Sequence, residues 1–255
     1  MRPLELPADA LIRSPLLNGL GGVRHGFAAG RTVTGQELTF APREALDAGV
    51  LEESWLWANQ ALGVAPDRVA LMSQVHGASV VHATRPSGPG ATLGEADGMW
   101  TERTDLWLAV RTADCVPVLF AAPGGIAVAH AGWRGTVRGV ATATLGALCD
   151  GVGCHPSEVT AAVGPCIGGP AYEVGEEVVQ GLRDAGLDTE SFLHAHPGPR
   201  PHVDLAAAVR AQLSQAGVTR IDVAGLCTHD RPWLHSHRRD GSMSGRLAGF
   251  IARVR

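Results

Sequence analysis

Residues 106–134 read LWLAVRTADCVPVLFAAPGGIAVAHAGWR, and the reading of this stretch decides the fold. Apolar runs at 106–110 and 116–121 flank a polar knot, Arg111-Thr112-Ala113-Asp114-Cys115. A Pro-Gly-Gly turn follows, and a third apolar run, 126–129, ends at His130. The pattern predicts three short buried strands with reactive side chains placed where strands end. Upstream, LMSQV at 71–75 runs into His76-Gly77 in the same manner. Two His and one Cys are thus each expected to cap a strand, as in a metal site built on a rigid scaffold.

Working outward, a strand is expected at 23–28, a surface loop at 31–48, and a helix at 52–63 that closes on a glycine. Strands at 68–75 and 79–82 should form a hairpin or close neighbours around His76-Gly77. A loop at 84–96 leads back into the sheet at 97–101. Helical spacing covers 136–149 despite Gly139 and Gly146, and 158–163 reads as a strand. Amphipathic helices follow at 175–185 and 205–215, the second with Asp204 as its N-cap. A strand at 220–225, a polar stretch at 227–245 and a last strand at 247–254 complete the chain. Alternating helices with several directly consecutive strands predict an α/β (α+β) mixed-sheet sandwich. No linker, repeat or low-complexity block divides residues 1–255, which read as a single domain.

A formal net charge of −4 gives no general attraction to nucleic acid or anionic membrane. Arginine supplies all of the basic side-chain charge apart from histidine, because the chain has no lysine. No signal peptide and no run long enough for a membrane span is visible. Five cysteines, an odd number, argue against a disulfide framework and for a reducing, cytoplasmic setting.

His76, Cys115 and His130 are the leading candidates for chemistry. One thiolate and two imidazoles are donors that zinc prefers, and three protein ligands leave a fourth position open. Their wide separation in sequence means that the fold must assemble the site. A single copper is also compatible with a Cys-His-His set. The alternative is a buried Cys with two hydrogen-bonded structural histidines. Gly77, Gly132 and Gly135 adjoin the candidate ligands, where backbone approaches something closely or adopts positive φ. Arg111 and Arg134 flank the same region and suit an anionic reactant, unless they pair with Asp97 or Asp114. A second polar cluster holds Thr228-His229-Asp230 and Ser236-His237-Arg238-Arg239-Asp240-Gly241. It lines one wall of the pocket or forms a solvated loop. His194, His196 and His202 receive no role, and Cys149, Cys154, Cys166 and Cys227 read mostly as packing residues.

Six segments then resemble, in order, the motifs of the YfiH family, also called laccase-domain or polyphenol oxidase proteins. They are SQVHGASVV, ADGMWT, VRTADCVPVLF, AVAHAGWRGT, VGPCIGGPAYEVG and SHRRDGSMSGR, spread over residues 73–246. VRHGF at 23–27 extends the likeness toward the N-terminus. The resemblance implies a mixed α/β sandwich similar to Cys-His hydrolases and deamidases. It places His76, Cys115 and His130 on metal-ligand positions, for zinc or copper. It also implies phosphorolysis of adenosine, inosine, guanosine and methylthioadenosine, with adenosine deamination. Purine nucleoside and phosphate are then the expected partners, with no role for nucleic acid or membrane.

On that reading Cys115, His130, Arg111 and Asp114 carry the chemistry, and Gln74, Arg134, Arg238 and Arg239 contact nucleoside or phosphate. Two rivals remain at the level of sequence. One is a Cys-His hydrolase acting on cell-wall precursors, with Cys115 as nucleophile and His130 as base. The other is a single-copper polyphenol oxidase. A multicopper laccase needs more histidines than the pairs His194/His196 and His235/His237 provide.

Overall fold

A computed structural model of the protein describes residues 5–42, 48–194 and 198–254. Among them the strands sort into two large sheets and a short ribbon. The first sheet has the order β1 (Leu11–Ile12), β2 (Val23–Ala28), β13 (Leu247–Arg253), β6 (Trp107–Thr112), β3 (Val69–Ala70). The second has the order β12 (Arg220–Val223), β9 (Thr160–Val163), β7 (Val116–Ala122), β8 (Gly125–Ala131), β5 (Gly98–Thr101), β4 (Val80–His82). The ribbon pairs β10 (Leu193–His194) with β11 (His202–Val203). Parallel pairs, β3–β6, β4–β5 and β9–β12, sit at the sheet margins, and the remaining neighbours are antiparallel. The mixed α/β architecture expected from the sequence is what the chain forms.

The hairpin β7–β8 is the centre of the molecule. Leu119, Ala121, Ile126 and Val128 share a core with Leu108, Val110 and Ile251 of the first sheet. Val118, Phe120, Ala127 and Ala129 face the other way, onto helices α4 (Val140–Val152) and α6 (Leu205–Gln215). A strand buried on both faces needs an unbroken apolar run, which is why these segments show no polar alternation. Helix α1 (Pro15–Asn18) packs between β2 and the β9–β12 edge of the second sheet, and α2 (Ala48–Leu62) covers the outer face of the first. There Phe40, Trp55 and Phe250 meet edge to face, with centroids 5.2–5.9 Å apart. Such contacts add to the area they bury, and they assign Trp55 to the core.

Several boundaries differ from the sequence pattern for physical reasons. Helix α2 starts at Ala48, inside the expected loop, because Leu51 packs on the core and tertiary burial extends the helix past Gly49. The expected helix at 136–149 is divided into α3 (Trp133–Val137) and α4 by Gly139, whose φ of 73° is left-handed. The polar stretch 227–245 contains one turn of helix, α7 (His237–Asp240). Helix α5 (Glu176–Asp184) and helix α6 lie where expected, and Asp204 accepts from Ala207 N at 2.9 Å as the cap of α6.

The correction that matters most concerns residues 68–75. Only Val69–Ala70 is a strand, and β3 and β4 belong to different sheets, so they form no hairpin. Leu71 and Ser73 pair instead with the 93–96 segment through Leu93 N–Leu71 O and Ser73 N–Gly94 O. The chain crosses from one sheet to the other here, and His76 stands at the crossing.

Candidate metal centre

Cys115 occupies the turn from β6 to β7. Asp114, just before it, has φ 86°, a left-handed conformation that is unfavourable for a residue with a Cβ. Three contacts hold it there. Its Oδ1 accepts from Thr228 Oγ1 at 2.5 Å, its Oδ2 from Arg238 N at 2.6 Å, and its carbonyl from Ile167 N at 2.9 Å. The Asp114 carboxylate is therefore buried in structural bonds beneath α7. Asp114, expected from sequence to take part in the chemistry, stands directly before Cys115 with both carboxylate oxygens hydrogen-bonded.

His76 is also left-handed, with φ 59°, and Asp97 fixes it. The Asp97 side chain has no solvent exposure. One of its oxygens accepts from His76 N (3.0 Å) and His130 Nδ1 (2.8 Å), the other from Gly77 N (2.6 Å) and Val75 N (3.2 Å). His130 is the next-to-last residue of β8, opposite Pro117 of β7.

The three expected donors come together. One donor atom each from His76, Cys115 and His130 lies within 4.8 Å of the others, and His76 Nε2 is 3.9 Å from Cys115 Sγ. Zinc–ligand bonds of about 2.0–2.3 Å in a tetrahedron separate donors by about 3.3–3.8 Å, so small side-chain adjustments suffice. His130 Nδ1 is committed to Asp97, leaving Nε2 as its ligand atom. A carboxylate behind a ligating histidine is the usual outer support of such a site. The donor set and its support fit a metal. Gly132 makes room for the donors, since a Cβ there would lie 2.9 Å from His76 Cδ2 and 3.0 Å from Cys115 Sγ.

The electrostatics favour the Cys115 thiolate. Burial opposes ionisation of Cys115, but hydrogen bonds from His130 and His76 outweigh it and bring the thiol down to about 6. Burial likewise works against a charged His130, yet Asp97 and Cys115 raise the imidazole to about 9. The thiolate, which is the form that ligates or attacks, is thus readily reached.

A cavity of about 520 Å³ opens over the triad, bordered by Gln74, Arg111, His237 and Arg246. Gln74 imitates a strand neighbour. Its Nε2 donates to Arg111 O at 2.6 Å, and its Oε1 accepts from Arg111 N at 2.9 Å. Arg134, Arg238 and Arg239 are engaged elsewhere. Arg134 stacks on Trp133 at 4.3 Å. Arg238 donates to Glu173 O and lies over Tyr172. Arg239 donates to the carbonyls of Thr228, His229 and Leu234 and pairs with Asp240. Asp97 and Asp114 take neither Arg111 nor Arg134 as a partner. Sequence reasoning missed two residues, Asp97 as the support of both histidines and Arg246 on the cavity wall. Each lies in a quoted segment, ADGMWT or SHRRDGSMSGR, which was the available signal.

Comparison with known proteins adds the family. Residues 43–254 match the family described as multi-copper polyphenol oxidoreductase laccase. The chain belongs to this family. A purine nucleoside phosphorylase of Deinococcus radiodurans is 42% identical over 193 residues, covering 75% of this chain and 72% of that protein. Purine nucleoside phosphorylase YlmD of Bacillus subtilis is 31% identical over 204 residues, covering 78% and 70%. The crystal structure of YlmD from Geobacillus stearothermophilus superposes with a TM-score of 0.86 at 30% identity, covering 100% of this chain and 99% of that one.

The family description names several coppers, whereas His76, Cys115 and His130 are the one group among the described residues placed to hold an ion. His235 is buried against Leu38 O, and His196 lies outside the described residues. No helix among the described residues is long and apolar enough to cross a membrane.

Proposed function

We propose that the protein is a metal-dependent purine nucleoside phosphorylase with accompanying adenosine deaminase activity, and that zinc is its metal. The observation that carries the reading is an open three-donor site, His76–Cys115–His130, beneath a cavity of a size that accepts a nucleoside. The relatives' names point to the same chemistry. In phosphorolysis a phosphate oxygen bonds to the sugar's glycosidic carbon as the bond to the purine breaks. The bonding electrons leave with the base, which takes up a proton.

When bound, the metal supplies Lewis acidity and charge stabilisation at the reacting centre. The chain's own residues do the positioning. Asp97 fixes the tautomer and orientation of His130, and the Gln74–Arg111 pair ties the loop before His76 to β6. We place the protein in the cytoplasm, where a thiolate ligand stays reduced.

The test is incubation of zinc-loaded protein with adenosine, with and without phosphate. Adenine and ribose 1-phosphate are expected with phosphate, and inosine with ammonia marks deamination. Absence of product from the wild type, or undiminished product from Cys115→Ala, would sink the reading. Metal analysis should give about one zinc per chain, lost in Cys115→Ala.

A second reading is favoured by one observation, the line Cys115–His130–Asp97, which matches a nucleophile, its base and an orienting group. On that reading the protein is a Cys-His hydrolase. It predicts activity that survives metal removal and is abolished by thiol alkylation.

A further inference from the structure

The cavity that holds the triad is also lined by two guanidiniums. Arg111 and Arg246 both border it. Arg111 spends its guanidinium on one carbonyl, donating from Nη2 to Met72 O at 3.2 Å. Arg246 donates from Nη1 to Ser244 O and Gly245 O, both at 2.9 Å. Neither has a carboxylate partner, and no Asp or Glu borders the cavity among the described residues. Burial, and next the positive field of Arg246, pulls the Arg111 guanidinium below its usual value, so the two groups sense one another. His237 borders the same cavity, with Nδ1 at 2.9 Å from Gly241 O. Two guanidiniums lining one cavity, with no carboxylate beside them among the described residues, are stabilised by an anion bound there.

From this we infer that Arg111 and Arg246 form the seat of a tetrahedral oxyanion, inorganic phosphate, held beside the triad, with His237 as a third contact. Arg134, Arg238 and Arg239 do not border this cavity, which leaves Arg111 and Arg246 as its guanidiniums among the described residues. The choice of phosphate over other oxyanions rests on the phosphorylase reading, whereas the seat itself rests on the uncompensated arginines. Guanidinium forks match the edge of a phosphate with paired N–H donors, a geometry that lysine lacks.

The seat also fixes where the nucleoside can lie. An attacking phosphate oxygen must approach the glycosidic carbon on the side away from the leaving base. Phosphate held on the Arg111–Arg246 wall therefore requires the sugar between that wall and the purine.

The experiment is a titration of zinc-loaded protein with inorganic phosphate, read by calorimetry, for the wild type, Arg246→Gln and Arg246→Lys. Adenosine 5′-monophosphate is titrated in a parallel arm. Expected are phosphate binding by the wild type, an affinity at least tenfold weaker in Arg246→Gln, and partial recovery in Arg246→Lys, all with unchanged zinc content. In turnover, KM for phosphate should rise in Arg246→Gln while KM for the nucleoside stays put. Equal phosphate affinity in all three proteins overturns the seat. Tighter binding of the monophosphate than of free phosphate overturns the assignment to inorganic phosphate. If phosphate binds through Arg246 and no nucleoside is cleaved, the seat stands and the phosphorylase reading falls.

Discussion

Asp97 accepts a 2.8 Å hydrogen bond from His130 Nδ1, and the same oxygen accepts one from the backbone N–H of His76. A single buried carboxylate thus orients one candidate ligand through its ring and the other through its main chain. It also ties β8 of the second sheet to the crossing segment that leads into β4. Cys115 is held separately, through Asp114 and its bonds to Thr228 and Arg238 N. Two buried aspartates therefore decide where all three donors stand.

Asp97→Asn should loosen the metal without removing any ligand. Each Asp97 oxygen accepts from two N–H donors, so either orientation of an amide puts its NH2 against two of them. Loss of such an outer-shell support weakens a metal by about 10–100-fold. Competition against a chromogenic chelator measures it. Unchanged zinc affinity would show that Asp97 serves folding only. A stability loss of about 1–3 kcal/mol should accompany the change, from the donors left facing the amide.

Gly132→Ala separates site geometry from fold. With φ −71° and ψ 171°, Gly132 sits in backbone space open to alanine, so no backbone strain is introduced. The added methyl instead meets His76 and Cys115 at about van der Waals overlap. Zinc affinity should fall roughly tenfold while the melting temperature stays near that of the wild type, by analogy with other disturbances around metal ligands. Thermal denaturation of the metal-free protein, run beside zinc titration, checks both halves.

Parts of this site are legible in the sequence and parts are not. The β7–β8 hairpin announces itself, because strands covered on both faces carry unbroken apolar runs around a Pro-Gly-Gly turn. His76, Cys115 and His130 are recognisable by residue type and by their place beside such runs. The crossing at 71–79 is hidden, since it depends on pairing with 93–96, which local periodicity does not report. The choice among arginines is hidden for a different reason. Arg111, Arg134, Arg238, Arg239 and Arg246 look alike in sequence, and only three-dimensional structure shows that Arg111 and Arg246 border the cavity while the other three do not. Asp97 looks like an ordinary acid before a strand until its four donors are counted.

Arg239 shows what a committed guanidinium is worth. It gathers the carbonyls of Thr228, His229 and Leu234, at 2.8–3.0 Å, and so pins the segment that leads into α7. Arg239→Gln should lower unfolding free energy by about 2–3 kcal/mol, the range for losing charge-assisted bonds and leaving partners unpaired. Arg239→Lys should restore little of it, because a compact ammonium cannot span carbonyls arranged for a planar fork. Chemical denaturation of the three proteins gives the comparison. A lysine variant as stable as the wild type would contradict the argument.

His25 predicts an acid limit to stability far from the metal. It lies on β2, buried, and its Nε2 accepts from Ser14 N at 2.9 Å, which requires that nitrogen to be unprotonated. Burial, reinforced by the Arg13 charge, lowers the imidazole from 6.5 to about 4. The unfolded chain therefore binds a proton between these values that the folded chain refuses. Stability from this group is complete above about pH 6.5 and declines as pH falls toward 4, by about 3 kcal/mol at full extent. His25→Gln keeps an acceptor for Ser14 N and removes the titration. Its unfolding free energy, measured by denaturant at pH 7, 6 and 5, should fall less steeply with acid than that of the wild type. Parallel curves for the two proteins would mean that His25 is protonated in the fold and that its bond to Ser14 breaks.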